Sequence, residues 1–220
     1  MTSINKLGAV AAFAAAAIYL AAFVFYGALV QYPNSPDPAP NIAYLTSLQV
    51  PLYLANVFGY LVFGLVLAVL VVTLQQRVQP VSVLQRQLTG LFGFIWVGLV
   101  LAAGMIANVA LLLVTDAAVA DPTSALATWK TLNYVVAGLG GSNEIVGGLW
   151  VLLVSLGARQ NNQLPRSLCV AGGLVGACGV ATVYPVESLT ELFGVSQLIW
   201  FVWLGLVLWR APQDAAASAG

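Results

Sequence analysis

Six long apolar runs, separated by short polar connections, dominate the hydrophobic pattern of the chain. A run of about 20 residues with few or no charges can cross the hydrocarbon core of a bilayer as a helix. The sequence therefore predicts an all-α fold, an integral membrane bundle of six transmembrane helices in a single domain, 1–220. The predicted spans lie at about 7–31, 50–75, 88–114, 131–157, 167–185 and 190–209. The first run lacks a clear A-x-A cleavage site and is too long for a signal peptide, so it is interpreted as a retained helix.

The connections between the spans carry local signals for turns and helix caps. Residues 41–49 follow a proline-rich stretch and are expected to form a short interfacial helix. Asp121 and Pro122 predict the N-cap and first position of a second short helix before span 4. Ser188 and Glu191 match a capping box at the start of span 6. The remaining connections are short and rich in amides, which predicts antiparallel pairs of spans 2 and 3 and of spans 4 and 5.

The positions of lysine and arginine predict the orientation of the bundle. In a six-span arrangement Lys130 stands alone on one side, and the other basic residues share the opposite side: Lys6, Arg77, Arg86, Arg159, Arg166 and Arg210. Because positive charge near span ends is held in the cytoplasm, we expect both termini to be cytoplasmic. The expected location is the inner (plasma) membrane, which the chain crosses several times.

Composition excludes several classes of protein. With 61% hydrophobic and 6% charged residues, the chain cannot cover a water-exposed surface with solvated groups. The net charge is zero and the basic residues are scattered, which argues against nucleic-acid binding. Histidine is absent, so histidine-ligated haem, histidine-based metal sites and histidine proton relays are excluded. No cofactor and no metal site is therefore predicted.

Glu144 is the most unusual residue of the predicted spans. It is expected near the middle of span 4, where a charge costs a few kcal/mol unless it is paired, hydrated or protonated. Glycines lie three and four residues to either side, so another helix or a ligand could approach closely: Gly140, Gly141, Gly147 and Gly148. A continuous span 4 is the favoured interpretation, and a break between two half-helices over residues 138–143 is the alternative.

Amide side chains accompany Glu144, mostly in the outer halves of the spans. The candidate site comprises Glu144 with Asn143, Asn108, Asn56, Asn133 and Gln197. If these side chains converge, they line a polar pocket that opens to the outside near Glu144. The competing hypothesis is that the amides hydrogen-bond between helices as packing groups.

Other prominent side chains in the spans are interpreted as packing or interface residues. Gly172 and Gly176 in span 5 are predicted to allow close helix packing, as are the glycines around Glu144. Four tryptophans are interpreted as interface anchors or lipid-facing bulk: Trp129, Trp200, Trp203 and Trp209.

Residues 147–210 resemble a broad family of uncharacterised bacterial membrane proteins with six predicted spans, a domain of unknown function. The matching features are Gly147-Gly148-Leu149-Trp150, Leu164-Pro165-Arg166, Leu192-Phe193-Gly194, Gln197, Trp200 and Trp203-Leu204-Gly205. The resemblance implies a six-helix bundle in a bacterial inner membrane and implies no activity.

Two functional hypotheses follow from these residues. The first is a non-enzymatic accessory subunit or small binding protein with an outward-facing polar pocket near Glu144. The alternative is a small transporter in which Glu144 couples to a proton or cation. An enzyme is less favoured and no catalytic residue is assigned, because paired intramembrane carboxylates, a G-x-S-x-G motif and a metal-ligand cluster are all missing. The expected partners are the lipid bilayer and either other membrane subunits or further copies of this chain.

Overall fold

A computed structural model describes residues 4–79, 82–141, 144–184 and 186–211 of the chain. This part of the chain is helical, without strands. Its α-helices are α1 (Ile4–Val24), α2 (Pro38–Ser47), α3 (Gln49–Asn56), α4 (Phe63–Arg77), α5 (Val83–Ala117), α6 (Pro122–Val136), α7 (Ile145–Gln160), α8 (Arg166–Ala181) and α9 (Glu187–Arg210). Three π-helical segments, Phe25–Leu29, Val57–Val62 and Ala137–Gly141, follow α1, α3 and α6.

Six of these helices form a closed bundle. Each packs against the next in the order α1, α4, α5, α7, α8 and α9, and α9 returns to α1. Neighbouring helices are antiparallel: Gly8 of α1 lies against Thr73 of α4, near the end of that helix, and Phe23 lies against Gly194 of α9, near its start. Helix α3 continues through its π-helical segment into α4, and α2 and α6 pack beside α5.

Alternating helix directions give the bundle two different ends. The acidic end holds α2, the start of α6 and the carboxylates Asp37, Asp116, Asp121, Glu187 and Glu191. The basic end holds Lys6, Arg77, Arg86, Arg159, Arg166 and Arg210. At the basic end the two amide-rich connections contact each other, since the Gln79 backbone N–H donates to Gln163 Oε1 at 2.8 Å.

By length and composition, five stretches of the chain are long and apolar enough to cross a bilayer: Ile4–Leu29, Gln49–Arg77, Val83–Ala117, Pro122–Gln160 and Glu187–Arg210. Pro122–Gln160 includes residues 142–143, which lie outside the described residues. The remaining apolar helix of the bundle, α8, has 16 residues. At a rise of about 1.5 Å per residue it is about 24 Å long, shorter than the roughly 30 Å of a bilayer core. The apolar helices are those of a multi-pass membrane protein, with five candidate spans where the sequence predicts six.

Local capping signals account for two helix starts and fail at a third. Asp37 accepts a hydrogen bond from the Ala39 N–H at the start of α2, so the short helix predicted at 41–49 begins earlier, at Pro38, and ends at Ser47. The Asp121 carboxylate accepts from the N–H groups of Thr123 and Ser124 at 2.9 and 3.1 Å, so α6 begins where the sequence predicts. The predicted capping box at Ser188 is wrong, because α9 already begins at Glu187 and no side chain caps it.

The predicted continuous span 4 is also wrong. Helix α6 ends at Val136, and within the π-helical segment that follows, Gly140 adopts φ +130° and ψ 16°. This backbone conformation is outside the helical region and strongly favours glycine over residues with a Cβ. Helix α7 then begins at Ile145, so Glu144 stands at the start of a helix and not in the middle of one.

Candidate functional site

Glu144 is buried where α7 begins and α8 ends. Its residue is 9% exposed, and its backbone N–H donates to Thr182 Oγ1 at 2.8 Å. The Thr182 hydroxyl in turn donates to the Gly179 carbonyl at 2.7 Å, at the end of α8. Because α7 starts at the next residue, the positive end of the α7 dipole lies beside Glu144. The break in the α6–α7 stretch therefore places a buried carboxyl group at a helix N-terminus.

Phenol groups from two other segments approach the Glu144 carboxyl. Tyr19 of α1 and Tyr60 of the second π-helical segment both lie within electrostatic range of this carboxyl. Tyr60 interacts in the same way with Tyr26, whose hydroxyl donates to Asn56 Oδ1 at 3.2 Å. We call Glu144, Tyr19, Tyr26, Tyr60 and Asn56 the acid-phenol cluster.

All three π-helical segments border the acid-phenol cluster. Phe25–Leu29 contains Tyr26, Val57–Val62 contains Tyr60, and Ala137–Gly141 ends shortly before Glu144. A π-helical turn inserts an additional residue into a helix and changes the direction of the side chains around it, and such turns occur often at functional sites. Sequence reasoning missed Tyr19, Tyr26 and Tyr60, because tyrosine in a span gives no signal that distinguishes a site from an interface anchor.

The predicted amides have different surroundings. Asn56 joins the cluster, whereas Asn133 donates to the Trp129 carbonyl of its own helix at 2.9 Å. Among the described residues, Asn108 of α5 is buried with no partner for Oδ1, and Gln197 of α9 is fully buried with no partner for either amide atom. Asn143 lies outside the described residues.

Two surface cavities lie beside α6, and Glu144 lines neither of them. One, of about 460 Å³, lies between the end of α5 and the start of α6. The other, of about 330 Å³, is lined by residues of α6 and by Tyr32. The residues of the acid-phenol cluster line neither cavity. Glu144 and Asn56 are buried, whereas Tyr26 is 44% exposed.

Six aromatic side chains form a closed circuit across the bundle between Glu144 and the basic end of α7. We call this set the aromatic hexad: Tyr19, Phe63, Trp96, Trp150, Trp200 and Phe201. Successive centroids around the circuit are 5.2, 6.2, 5.6, 6.4, 5.8 and 6.0 Å apart. Because Tyr19 belongs to both sets, the acid-phenol cluster rests directly on the hexad.

The prediction that Trp200 is an interface anchor or faces lipid is wrong, because its side chain is 1% exposed inside the bundle. Trp96 and Trp150 are equally buried and received no role in the sequence analysis. A signal for both was present: α5 and α7 each contain Gly-x-x-Trp, and in an antiparallel pair each indole can cover the glycine of the other helix.

The predicted packing glycines divide into two groups. A Cβ on Gly147 would meet the Trp96 indole, one on Gly172 would meet Ser155 and Trp200, and one on Gly148 or Gly176 would meet the backbone of the facing helix. Gly140 is different, because no atom lies within 4 Å of its added Cβ and its role is conformational. For Gly141 the structure gives only its position at the end of a π-helical segment.

The chemistry available to the acid-phenol cluster is that of oxygen ligands. A carboxylate binds a proton, and carboxylate and amide oxygens are ligands of small hard cations. In the part of the chain that the structure describes, no group of three or more histidine, cysteine, aspartate or glutamate side chains could hold a metal ion.

Comparisons with family models, curated proteins and solved structures give no match to this chain, so the resemblance of residues 147–210 to a bacterial membrane family stays a prediction.

Proposed function

We propose that this protein is a six-span bundle of a bacterial inner membrane that reversibly binds a proton or a small cation at Glu144. In this proposal it is a non-enzymatic binding protein or accessory subunit with cytoplasmic termini. The observation that carries the proposal is the burial of the Glu144 carboxyl beside the phenols of Tyr19 and Tyr60. In this proposal the short apolar helix α8 is the sixth span. The orientation is supported by the separation of the basic end from the acidic end.

Burial explains why Glu144 would hold a cation. A carboxylate inside an apolar bundle costs a few kcal/mol unless a proton or positive charge compensates it. No salt bridge to Glu144 occurs among the described residues, and every basic side chain except Lys130 lies at the far end of the bundle. A proton or cation arriving from solution supplies the compensation that the chain itself does not.

The aromatic hexad determines the direction of access in this proposal. Large apolar rings separate Glu144 from the basic end, whereas the acidic end lies closer to the break at Gly140. Carboxylates at that end raise the local concentration of cations. The ligand therefore reaches Glu144 from the acidic end, which is the outside in the proposed orientation.

Chemical labelling of Glu144 tests this proposal. Dicyclohexylcarbodiimide reacts with protonated carboxyl groups in apolar surroundings, and the adduct is located by mass spectrometry of the purified full chain. We expect labelling at Glu144 that disappears in Glu144→Gln and slows as pH rises or as sodium or potassium is added. Glu191→Gln is the matched control, because Glu191 is exposed and its loss should not change the adduct. Absence of labelling, or labelling insensitive to pH and cations, would contradict the proposal.

One observation favours the alternative of a cation- or proton-coupled transporter. Discontinuous helices with non-helical backbone are a recurrent feature of ion sites in transporters, and the break at Gly140 is of this kind. A transporter predicts proton or cation flux in proteoliposomes that Glu144→Gln abolishes. A binding or accessory protein predicts labelling of Glu144 without flux.

A further inference from the structure

We propose that a second site, independent of the site at Glu144, binds the phosphodiester group of an anionic phospholipid. The site is the cavity of about 330 Å³ lined by Tyr32, Trp129, Lys130, Asn133 and Tyr134. It lies where the connection before α2 meets α6. We call it the Lys130 cavity.

Charge is the first argument for an anionic occupant. Lys130 is the one basic residue of the chain that lies away from the basic end, and no salt bridge to it occurs in the described part of the chain. Asp121, on the same helix, already accepts from the backbone N–H groups of Thr123 and Ser124. It also lies nine positions earlier, about 13 Å along the helix axis. Lys130 lines the cavity, and no aspartate or glutamate is among its lining residues.

The hydrogen-bonding groups of the cavity are the second argument. Tyr32 lines the cavity and packs edge-on against Tyr44 at 6.1 Å. Its hydroxyl is buried behind the cavity surface and has no hydrogen-bond partner among the described residues. The Asn133 amide N–H is already used by the Trp129 carbonyl. An ammonium group and a phenol hydroxyl are donors that suit the acceptor oxygens of a phosphodiester.

The surroundings favour a lipid over a soluble phosphate. Tryptophan, tyrosine and lysine together are the residues that concentrate at the boundary between headgroups and acyl chains. Next to the cavity, α6 exposes Tyr134 and Val135, which are 77% and 45% exposed and offer an apolar surface to an acyl chain. A lipid can occupy both the polar cavity and this surface, whereas inorganic phosphate can occupy only the first.

Native mass spectrometry of the delipidated full chain, titrated with phosphatidylglycerol, tests the proposal. We expect one tightly held phosphatidylglycerol, with affinity reduced about tenfold in Lys130→Gln and largely kept in Lys130→Arg. Tyr32→Phe should weaken binding by a smaller factor. Lys6→Gln is the matched control, because Lys6 lies at the basic end over the Trp209 ring.

Two further probes separate the lipid from its parts. Diacylglycerol, which lacks the phosphate, should not bind tightly, and millimolar inorganic phosphate should not displace phosphatidylglycerol. Unchanged affinity in Lys130→Gln, equal binding of diacylglycerol or displacement by inorganic phosphate would overturn the proposal. None of these outcomes depends on the protonation of Glu144, so the lipid-binding test and the carbodiimide test can fail separately.

Discussion

The indoles of Trp96 and Trp150 lie 5.6 Å apart, and each covers a glycine on the helix that carries the other. Trp96 of α5 lies on Gly147 of α7, and Trp150 of α7 lies on Gly93 of α5. This reciprocal packing of indole on glycine brings α5 and α7 close together and fills the centre of the bundle with aromatic rings. This pair forms the middle of the aromatic hexad that separates Glu144 from the basic end.

Gly93→Ala is therefore expected to destabilise the bundle. A Cβ at this position would lie 2.7 Å from Trp150 Nε1 and 2.7 Å from a Val71 methyl group, so the core must shift to accept it. Overpacking of this kind typically costs about 1–3 kcal/mol. Thermal or denaturant unfolding in detergent measures the loss. Gly98→Ala on the same helix is the control, because no atom lies within 4 Å of its added Cβ. Equal stability of the two variants would show that the indole does not rest on Gly93.

Gly140→Ala tests the break between α6 and α7 separately from packing. Space is available for the methyl group, but φ of +130° is strained for alanine and costs about 1–3 kcal/mol. We expect lower stability and an altered rate of carbodiimide labelling at Glu144, since the break positions that residue. Gly138→Ala has the same free space and an ordinary φ, so it should change neither quantity. If Gly140→Ala had the same stability and labelling rate as Gly138→Ala, the break at Gly140 would be contradicted.

Replacing two buried amides by apolar residues is expected to affect stability differently. Gln197 is fully buried without partners for its amide atoms, so Gln197→Met removes an unsatisfied group and should leave the free energy of unfolding unchanged or raise it by about 1 kcal/mol. Asn56 accepts a hydrogen bond from Tyr26, so Asn56→Leu should lower it by about 1 kcal/mol. Unfolding of both variants under one set of conditions gives the comparison. A large destabilisation by Gln197→Met would indicate that a bound molecule satisfies this amide.

The apolar helices and the start of α6 were predictable because their signals are local. Apolar runs of span length predict helices wherever they occur, and Asp37 and Asp121 cap the helices that follow them. The break at Gly140 was not resolved by the sequence, because a glycine that packs against a helix and one that adopts positive φ look alike.

The surroundings of Glu144 could not be predicted for a different reason. Its burial follows from its position in an apolar run, but its phenol neighbours come from α1 and from the segment before α4. Which side chains meet there depends on helix order, register and the π-helical turns that redirect Tyr26 and Tyr60. The hexad likewise requires the antiparallel pairing of α5 and α7, which the Gly-x-x-Trp pattern indicates only once that pairing is known.

In the proposed function, the Glu144 carboxyl binds a proton or a small cation inside the bundle, so an added cation displaces the proton. Infrared difference spectroscopy of the full chain in lipid nanodiscs tests it most directly, through the C=O stretch of a protonated carboxyl group, with Glu144→Gln as the reference. We expect a carboxyl band that is absent from Glu144→Gln and that loses intensity when sodium or potassium is added at constant pH. A band that is the same in both proteins, or that cations leave unchanged, would contradict proton and cation binding at Glu144.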